Sequence, residues 1–431
     1  MAKIYKGIIL TIGKSFEPIV HSLITHEVEY AIFICTSSSR YILDKVLKSY
    51  LIPPSKYRIF EMEDAPDQIG KLTSYFYSGF RWLRDKKLLK PEDMITDPTP
   101  GRKWMSTGAI MMASYLGLDM AYTDVVYKNG KPDKNSMNIV SLGNAYDQTG
   151  FLEVEKGIFY FNNYEFSIAS EIFKTIKPSS SDLKDLYEGL SKISEGFHKW
   201  DLFKQYKEDI SNDFLLGREY IERTLYSRES NKELENFLED IKIKEKIAKD
   251  LLFCEKPNLK QIIDLLLNAE RRISQGKFDD GLARLYRTLE TIEQYYLFKE
   301  LSKNSKKFDT SDPDYMLIPK QVMQKFKKFY TSFPKKIGLW DGFILLKCLD
   351  HKIGNNVIQI KKGRAMTRFD GIIKARNNSI LAHGFNPIKS EDTNRFFRLV
   401  KQLFIKEIEE IDFEKLTTEL RIPKLPAFYK K

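Results

Sequence analysis

Cysteine is scarce in this chain of 431 residues. The three cysteines, Cys35, Cys254 and Cys348, are far apart and form no CxxC pair. Zinc sites and disulfide frameworks both use cysteines at close, repeated spacings, so this pattern argues against both and suits a reducing compartment. We therefore expect no bound metal.

Long apolar runs and glycine-rich nucleotide motifs are also missing. No stretch reaches the ~18 apolar residues that a membrane-spanning helix needs, and the first residues enter a strand-like run too early for a signal peptide. We expect a soluble, cytoplasmic protein with no membrane partner. Neither GxGxxG nor GxxxxGK[ST] occurs, which argues against a dinucleotide fingerprint and a Walker A loop.

Acidic residues are outnumbered by basic ones, 59 to 70, which gives a net charge of +11. This surplus favours polyanionic partners such as RNA or phosphorylated small molecules, although a generally lysine-rich composition explains it equally well. The length exceeds what one ordinary core needs, so we expect two domains and a connector.

The first part of the chain alternates short apolar runs with amphipathic stretches. This rhythm predicts a mostly parallel, Rossmann-like sheet over residues 1–150. Helical periodicity dominates afterwards, and we predict a helical connector at 151–255 and an all-helical domain at 256–431. The predicted strands are "KGIILTIG", "YAIFICTS", "YRIFEME", "DMITDPT", "MAYTDVVY" and "NIVSLG".

Polar turns follow three of these strands and lead into helices. Open parallel sheets bind ligands at the carboxyl ends of their strands, and helix N-termini favour phosphate. A crevice for a phosphorylated ligand is therefore predicted, although a helix cap explains the serines equally well and Lys14 alone suits an ordinary surface. The candidate binding residues are Thr11, Gly13, Lys14, Ser37, Ser38, Ser39, Arg40, Thr99, Gly101, Arg102 and Lys103.

A helical hairpin is predicted at the start of the helical domain. "LKQIIDLLLNAERRISQG" ends at Gly276, and "FDDGLARLYRTLETIEQYYLFKEL" restarts after an Asp-rich turn,. The sequence leaves open whether Arg284 and Arg287 face a partner, RNA or only solvent. We expect a core stripe of Leu282, Leu285, Leu289 and Ile292.

A late helix is predicted over residues 363–384, and it carries the string "RNNSILAHG". Arg376 and His383 are roughly two helical turns apart, so both would project from one face at a distance on the order of 10 Å. If two copies met antiparallel across a two-fold axis, each Arg would approach the His of the other copy. This spacing predicts a composite site in a homodimer.

These residue types suit cleavage of RNA without a metal. Histidine transfers protons near neutral pH, and arginine offers a charged fork for the developing phosphorane charge. Asn377 could orient the phosphate or the ring of His383. The plain alternative is that His383 only caps the end of a helix.

Three strings carry a resemblance to a known family. "RNNSILAHG" resembles the Arg–Asn…His signature of HEPN-domain ribonucleases, and "GKFDDGLARLYRTLETIEQ" resembles a HEPN hairpin of CRISPR-associated members. "TDPTPGRKWMSTGA" stands where many relatives carry a Thr-Gly-Gly-Thr-Lys-like motif. The chain is similar to the CARF–HEPN ribonucleases of type III CRISPR systems. Pro100 and Arg102 depart from that motif, which leaves the ligand contacts and any ring-cleaving activity open.

The resemblance implies a CARF sensor at 1–150 and a HEPN ribonuclease at 256–431. It implies activation by a cyclic oligoadenylate, with a ring of four favoured over six, bound across a homodimer by the three turns. It also implies cleavage of single-stranded RNA in antiviral defence by Arg376, Asn377 and His383. The alternatives are a non-catalytic sensor, a toxin-type HEPN ribonuclease controlled by a protein partner, or a small-molecule enzyme on the Rossmann-like half.

Overall fold

The chain divides into two units of different secondary structure. The computed structural model describes residues 4–178, 180–225, 232–254, 257–302, 307–329, 334–361, 364–367, 369–380, 384–407 and 412–427. One unit contains Met1–Val154 and Thr175–Lys184, and the other contains Glu155–Lys174 and Asp185–Lys431. Among the described residues, no helix is long and apolar enough to span a membrane. The boundaries expected at residues 150 and 255 stay predictions.

A six-stranded sheet forms the centre of the first unit. The strands of this unit are β1 (Gly7–Ile12), β2 (Tyr30–Thr36), β3 (Tyr57–Met62), β4 (Met94–Asp97), β5 (Asp119–Asp124), β6 (Tyr127–Lys128), β7 (Lys131–Pro132) and β8 (Asn138–Gly143). The sheet order is β3-β2-β1-β4-β5-β8, and only β8 runs antiparallel to its neighbour. β6 and β7 pair separately.

Helices cover both faces of this sheet. They are α1 (Glu17–His26), α2 (Arg40–Ser49), α3 (Ile69–Arg81), α4 (Lys103–Leu116) and the short α5 (Ala145–Thr149). Successive residues of β1 point to opposite faces: Ile8 packs with residues of α1 and α2, whereas Ile9 packs with residues of α3 and α4. Burial on both faces explains why the central strands read as continuous apolar runs.

The strand order marks the edge of the sheet where a ligand is expected. The winding direction reverses between β1 and β4, and open sheets bind ligands at the carboxyl ends of the strands beside such a reversal. The Rossmann-like parallel sheet predicted from the sequence is confirmed.

Helices dominate the rest of the chain, as predicted. They are α6 (Phe151–Asn162), α7 (Phe166–Thr175), α8 (Ser181–Asp201), α9 (Ser211–Leu225), α10 (Lys232–Leu251), α11 (Leu259–Ser274), α12 (Phe278–Leu301), α13 (Lys320–Phe326), α14 (Leu339–Cys348), α15 (Lys352–Val357), α16 (Asp370–Asn377), α17 (Ser390–Glu407) and α18 (Phe413–Leu420). A two-stranded antiparallel pair, β9 (Ile358–Lys361) and β10 (Arg364–Thr367), precedes α16, so the prediction that this region is entirely helical was wrong.

The predicted helical hairpin is confirmed as α11 and α12. Asn258 and Gln261 form a reciprocal cap at the start of α11, with N–H to side-chain oxygen distances of 2.9 and 3.2 Å,. Gly276 has a positive φ of 73° in the turn between the helices, a conformation that glycine adopts without strain. The expected stripe on α12 is buried: Leu282, Leu285, Leu289 and Ile292 are at most 1% exposed.

Candidate functional site

The turns after β1 and β4 lie against each other in the first unit. A Cβ atom added to Gly13 would collide with the carbonyl oxygen of Pro100, and one added to Gly101 would collide with the hydroxyl of Thr11. Glycine is required at position 13 because a neighbouring backbone approaches so closely, and at position 101 because the Thr11 side chain does,. Thr11 is itself buried, so it supports the turns from below.

Ser37, Ser38 and Ser39 form one 3₁₀ turn between β2 and α2. The hydroxyl of Ser39 is buried and accepts a hydrogen bond from the backbone N–H of Thr36 at 3.0 Å. Ser39 therefore stabilises the turn in the way a cap residue does. Ser37 and Ser38 are exposed, so their hydroxyls are accessible at the surface of the turn.

Asp64 lies just after β3 and interacts with three of the predicted binding residues, Ser38, Arg102 and Lys14. The hydroxyl of Ser38 donates to its carboxylate at 2.5 Å, and the Arg102 guanidinium forms an ion pair with it. These contacts, and the nearby charges of Arg102 and Lys14, hold the pKa of Asp64 below its usual value. The sequence analysis missed this residue, although "EMED" ends a strand at the same edge of the sheet.

Thr99 ties the turn after β4 to β5. Its hydroxyl accepts a hydrogen bond from the backbone N–H of Thr123 at 2.9 Å, and its own N–H donates to the carboxylate of Asp97 at 2.9 Å. Asp97 is fully buried and also accepts from the Thr123 hydroxyl at 2.7 Å. Thr99 therefore fixes the shape of the turn from which Arg102 projects.

Arg40 and Lys103 begin the helices α2 and α4. Arg40 forms ion pairs with Asp44 and Glu61, both at 3.2 Å, so its charge is compensated by carboxylates other than Asp64. Lys103 is exposed at the first residue of α4. Both cations stand at helix N-termini, where partial positive charge favours an anion.

The helix that carries Arg376 is shorter than the sequence analysis predicted. Residues Arg364–Thr367 form β10, and α16 runs only from Asp370 to Asn377. The prediction of one continuous helix over 363–384 was therefore wrong. The hydroxyl of Ser379 donates to the carbonyl oxygen of Arg376 at 2.8 Å and so engages an acceptor that a continuing helix would use.

The chain turns back on itself after α16. The N–H of Gly384 donates to the carbonyl oxygen of Ser379 at 3.2 Å, and the N–H of Asn386 donates to that of Asn378 at 3.1 Å. A Cβ atom at Gly384 would collide with the backbone of Asn378. The predicted catalytic residue His383 lies outside the described residues.

Arg376 is held over an aromatic ring of α12. Its guanidinium carbon lies 5.0 Å from the ring centroid of Tyr286, within the range of a cation–π contact,. Its Nη1 also donates to the side-chain oxygen of the exposed Asn377 at 3.2 Å. Arg376 is half-exposed, so a positioned cation and an amide lie together at the surface of the second unit.

Tyr286 is a second residue that the sequence analysis missed. It lies between the two arginines noted on α12, and it is half-buried. Burial raises the pKa of its phenol, and the charge of Arg376 opposes that shift. The phenol is thus held neutral beneath a permanent cation.

Part of the helical region is similar to known proteins. Residues 251–407 match the family model described as the Csm6 HEPN domain. The structure of Enterococcus italicus Csm6 bound to cyclic hexa-2'-fluoro-hexa-dAMP is similar over 97% of this chain and 100% of that chain, with a TM-score of 0.51 and 12% identity. At this identity the likeness shows the fold alone.

A second similar structure covers less of the chain. Can2 from Sulfobacillus thermosulfidooxidans, in complex with cyclic tetra-adenylate, aligns with 46% of this chain and 67% of that chain at 12% identity. Its TM-score of 0.23 is too low to carry an argument. No curated protein sequence matches the chain.

Proposed function

We propose that this chain, whose residues 251–407 match the family model of the Csm6 HEPN domain, is an endoribonuclease that a cyclic oligoadenylate switches on. The observation that carries the proposal is Arg376, held over Tyr286 beside the exposed Asn377 within that matched segment. A positioned, half-exposed guanidinium suits the charge that develops on a phosphodiester during cleavage.

The proposed reaction needs no metal. A base removes the proton of the ribose 2′-OH, that oxygen attacks the adjacent phosphorus, and an acid protonates the departing 5′-oxygen. The products are a 2′,3′-cyclic phosphate and a 5′-hydroxyl. We assign proton transfer to His383, stabilisation of the phosphorane to Arg376, and orientation of the phosphate to Asn377.

The proposed site is shared between two copies of the chain. His383 directly precedes Gly384, whose N–H contacts the segment that follows α16. Two copies related by a two-fold axis would each contribute Arg376 and His383 to one phosphodiester site. We therefore propose a homodimer as the active form.

The crevice of the first unit is the proposed activator site. Its turns offer backbone amides, the hydroxyls of Ser37 and Ser38, and the cations Lys14, Arg102 and Lys103. This chemistry suits the phosphates and ribose hydroxyls of a cyclic oligoadenylate. The ligand can activate cleavage only if it binds the cleaving state more tightly than the resting state.

The test is cleavage of a fluorescent single-stranded RNA in EDTA. The full-length protein is assayed without ligand, with cyclic tetra-adenylate and with cyclic hexa-adenylate. We expect cleavage with the four-membered ring in preference to the six-membered one, products that end in a 2′,3′-cyclic phosphate, and no cleavage of the matched DNA. A requirement for added Mg²⁺ would contradict the mechanism.

Two variants separate the two sites. His383→Ala should abolish cleavage and leave activator binding intact, whereas Arg102→Ala should raise the activator concentration needed without changing the maximal rate. His198→Ala, a half-buried histidine of α8, is the control for loss of a histidine. Activator binding without cleavage in the wild-type protein would instead favour a non-catalytic sensor, and cleavage without activator would favour a toxin-type ribonuclease.

A further inference from the structure

A cavity of about 460 Å³ lies in the second unit between the α8–α9 connection and the α11–α12 hairpin. Its volume falls in the range of small-molecule sites. One wall carries two aromatic rings and the other carries two arginines. The lining residues are Phe203, Tyr206, Gln261, Leu265, Ala283, Arg284, Arg287 and Thr291.

Phe203 occupies a backbone conformation that disfavours it. It follows the end of α8 with φ 59° and ψ 26°, the left-handed region in which helices usually end with glycine. Glycine at this position would therefore relieve backbone strain. The ring of Phe203 lies nearly parallel to that of Tyr206, with centroids 6.5 Å apart and an interplanar angle of 16°.

A buried polar contact holds Tyr206 in place. The hydroxyl of Tyr206 donates to the carboxylate of Asp264 at 3.3 Å, and Asp264 also accepts from the indole N–H of Trp200 at 2.9 Å. Asp264 is fully buried in α11. The ring of Tyr206 is therefore fixed at the cavity, and the ring of Phe203 lies beside it.

The arginine wall offers one half-buried and one exposed cation. Arg284 donates to the side-chain oxygen of Asn268 at 2.6 Å and pairs with Asp280, so it is fixed within the hairpin. Arg287 is 50% exposed and pairs with Glu290 at 3.0 Å. An exposed pair of this kind is weak and can be exchanged for a phosphate.

The cavity is next to the candidate catalytic arginine along α12. Arg287 directly follows Tyr286, and Tyr286 lies under Arg376. Neighbouring residues of a helix are about 100° apart around its axis, so Arg287 and the Tyr286 ring that contacts Arg376 lie on adjoining faces of α12. A strand that passes Arg376 can therefore reach the cavity within a few nucleotides.

We propose that this cavity binds one unpaired nucleotide of the RNA strand, with its base against the rings of Phe203 and Tyr206 and its phosphate on Arg287. Stacking on aromatic rings together with a cation for the backbone is how proteins bind single strands without reading their sequence. The inference rests on the proposed ribonuclease function, because it assigns a subsite for that substrate.

The test measures binding of a 2′-O-methyl RNA, which lacks the attacking hydroxyl and cannot be cleaved. Fluorescence anisotropy of the full-length protein with activator is recorded over a series of salt concentrations. Arg287→Gln is compared with Arg421→Gln, since Arg421 is 48% exposed and pairs with Glu270 at 2.7 Å outside the cavity. Phe203→Gly removes a ring where the backbone favours glycine.

We expect Arg287→Gln to lower the slope of log affinity against log salt by about 0.7, the value for one phosphate contact on a single strand. Arg421→Gln should keep the wild-type slope. Phe203→Gly should weaken binding on the order of tenfold and leave the slope unchanged, because stacking releases no counterions. A purely structural role of Arg287 would lower affinity without changing the slope.

The outcomes separate this inference from the proposed function. Equal slopes for Arg287→Gln and Arg421→Gln, in a protein that cleaves RNA, would overturn the cavity as an RNA subsite and leave the ribonuclease assignment intact. A wild-type protein that neither binds nor cleaves RNA would instead refute the proposed function. Binding of adenosine monophosphate that is lost in Phe203→Gly, without any change in RNA binding, would assign the cavity to a free nucleotide and overturn the inference.

Discussion

Tyr286 offers a sharp test of the candidate site, because it contacts Arg376 from another helix. The centroid distance of 5.0 Å corresponds to a cation–π contact of about 0.5–1 kcal/mol when exposed and about 2 kcal/mol when desolvated. Arg376 is half-exposed and Tyr286 half-buried, so we take about 1 kcal/mol. If the contact holds Arg376 in its working position, its loss lowers kcat about fivefold.

The perturbation is Tyr286→Leu, which keeps an apolar side chain and removes the ring. We expect kcat for single-stranded RNA to fall about fivefold with little change in KM, because Arg376 acts on the transition state in the proposed mechanism. Tyr286→Phe keeps the ring and should retain nearly full activity. Thermal unfolding of both variants shows whether the fold is preserved.

A matched control tests whether the loss of any arginine–tyrosine contact lowers kcat. Arg223 lies 5.2 Å from the ring centroid of the half-buried Tyr220, and Tyr220→Leu breaks that contact away from the candidate site. Its kcat should equal that of the wild type. Wild-type kcat in Tyr286→Leu would refute the positioning argument, and equal defects in Tyr286→Phe and Tyr286→Leu would show that the hydroxyl acts instead of the ring.

Three further predictions concern other parts of the molecule. Asp64→Asn removes a negative charge on the order of 6 Å from a phosphate bound to Arg102, which is a repulsion of about 1 kcal/mol. The activator concentration for half-maximal cleavage should therefore fall about fivefold. A rise in that concentration would show that Asp64 contacts the ligand directly. Burial lowers the pKa of Lys244 from 10.5 to about 8. Between pH 8 and pH 10.5 the unfolded state therefore binds more protons than the folded state, and the free energy of unfolding rises with pH by roughly 3 kcal/mol. Urea unfolding at pH 7 and pH 10 should show this gain in the wild type and lose it in Lys244→Met; the same gain in both would contradict it. Gly384→Ala places a Cβ against the backbone of Asn378. The substitution should destabilise the second unit by about 1–3 kcal/mol and reduce cleavage. An unchanged melting temperature would show that the turn adapts to the added Cβ.

The sequence predicted the regular elements well where the pattern was local. The buried strands β1, β2 and β4 each coincide with an apolar run between polar turns, and the α11–α12 hairpin coincides with a helical repeat broken at Gly276. Apolar periodicity arises from burial on one or both faces, and it is visible within a single segment. The core stripe on α12 was predictable for the same reason.

The late helix was predicted wrongly because its end depends on competing hydrogen bonds. "GIIKARNNSILAH" has helical periodicity, yet the Ser379 hydroxyl bonds to the Arg376 carbonyl and the chain returns at Gly384 to Asn378. A serine in a helical pattern is compatible with either outcome. The identity of the motif residues was therefore readable, but not the backbone geometry between them.

The sequence by itself determined which residue types are available: the polar turns after the strands, the amphipathic hairpin and the string from Arg376 to His383. Only the tertiary structure decided which of them meet. Asp64 joins Ser38 and Arg102 because the order of parallel strands brings three distant turns to one edge. Tyr286 joins Arg376 because α16 packs on α12. Such contacts link residues far apart in the chain, and no local pattern specifies them.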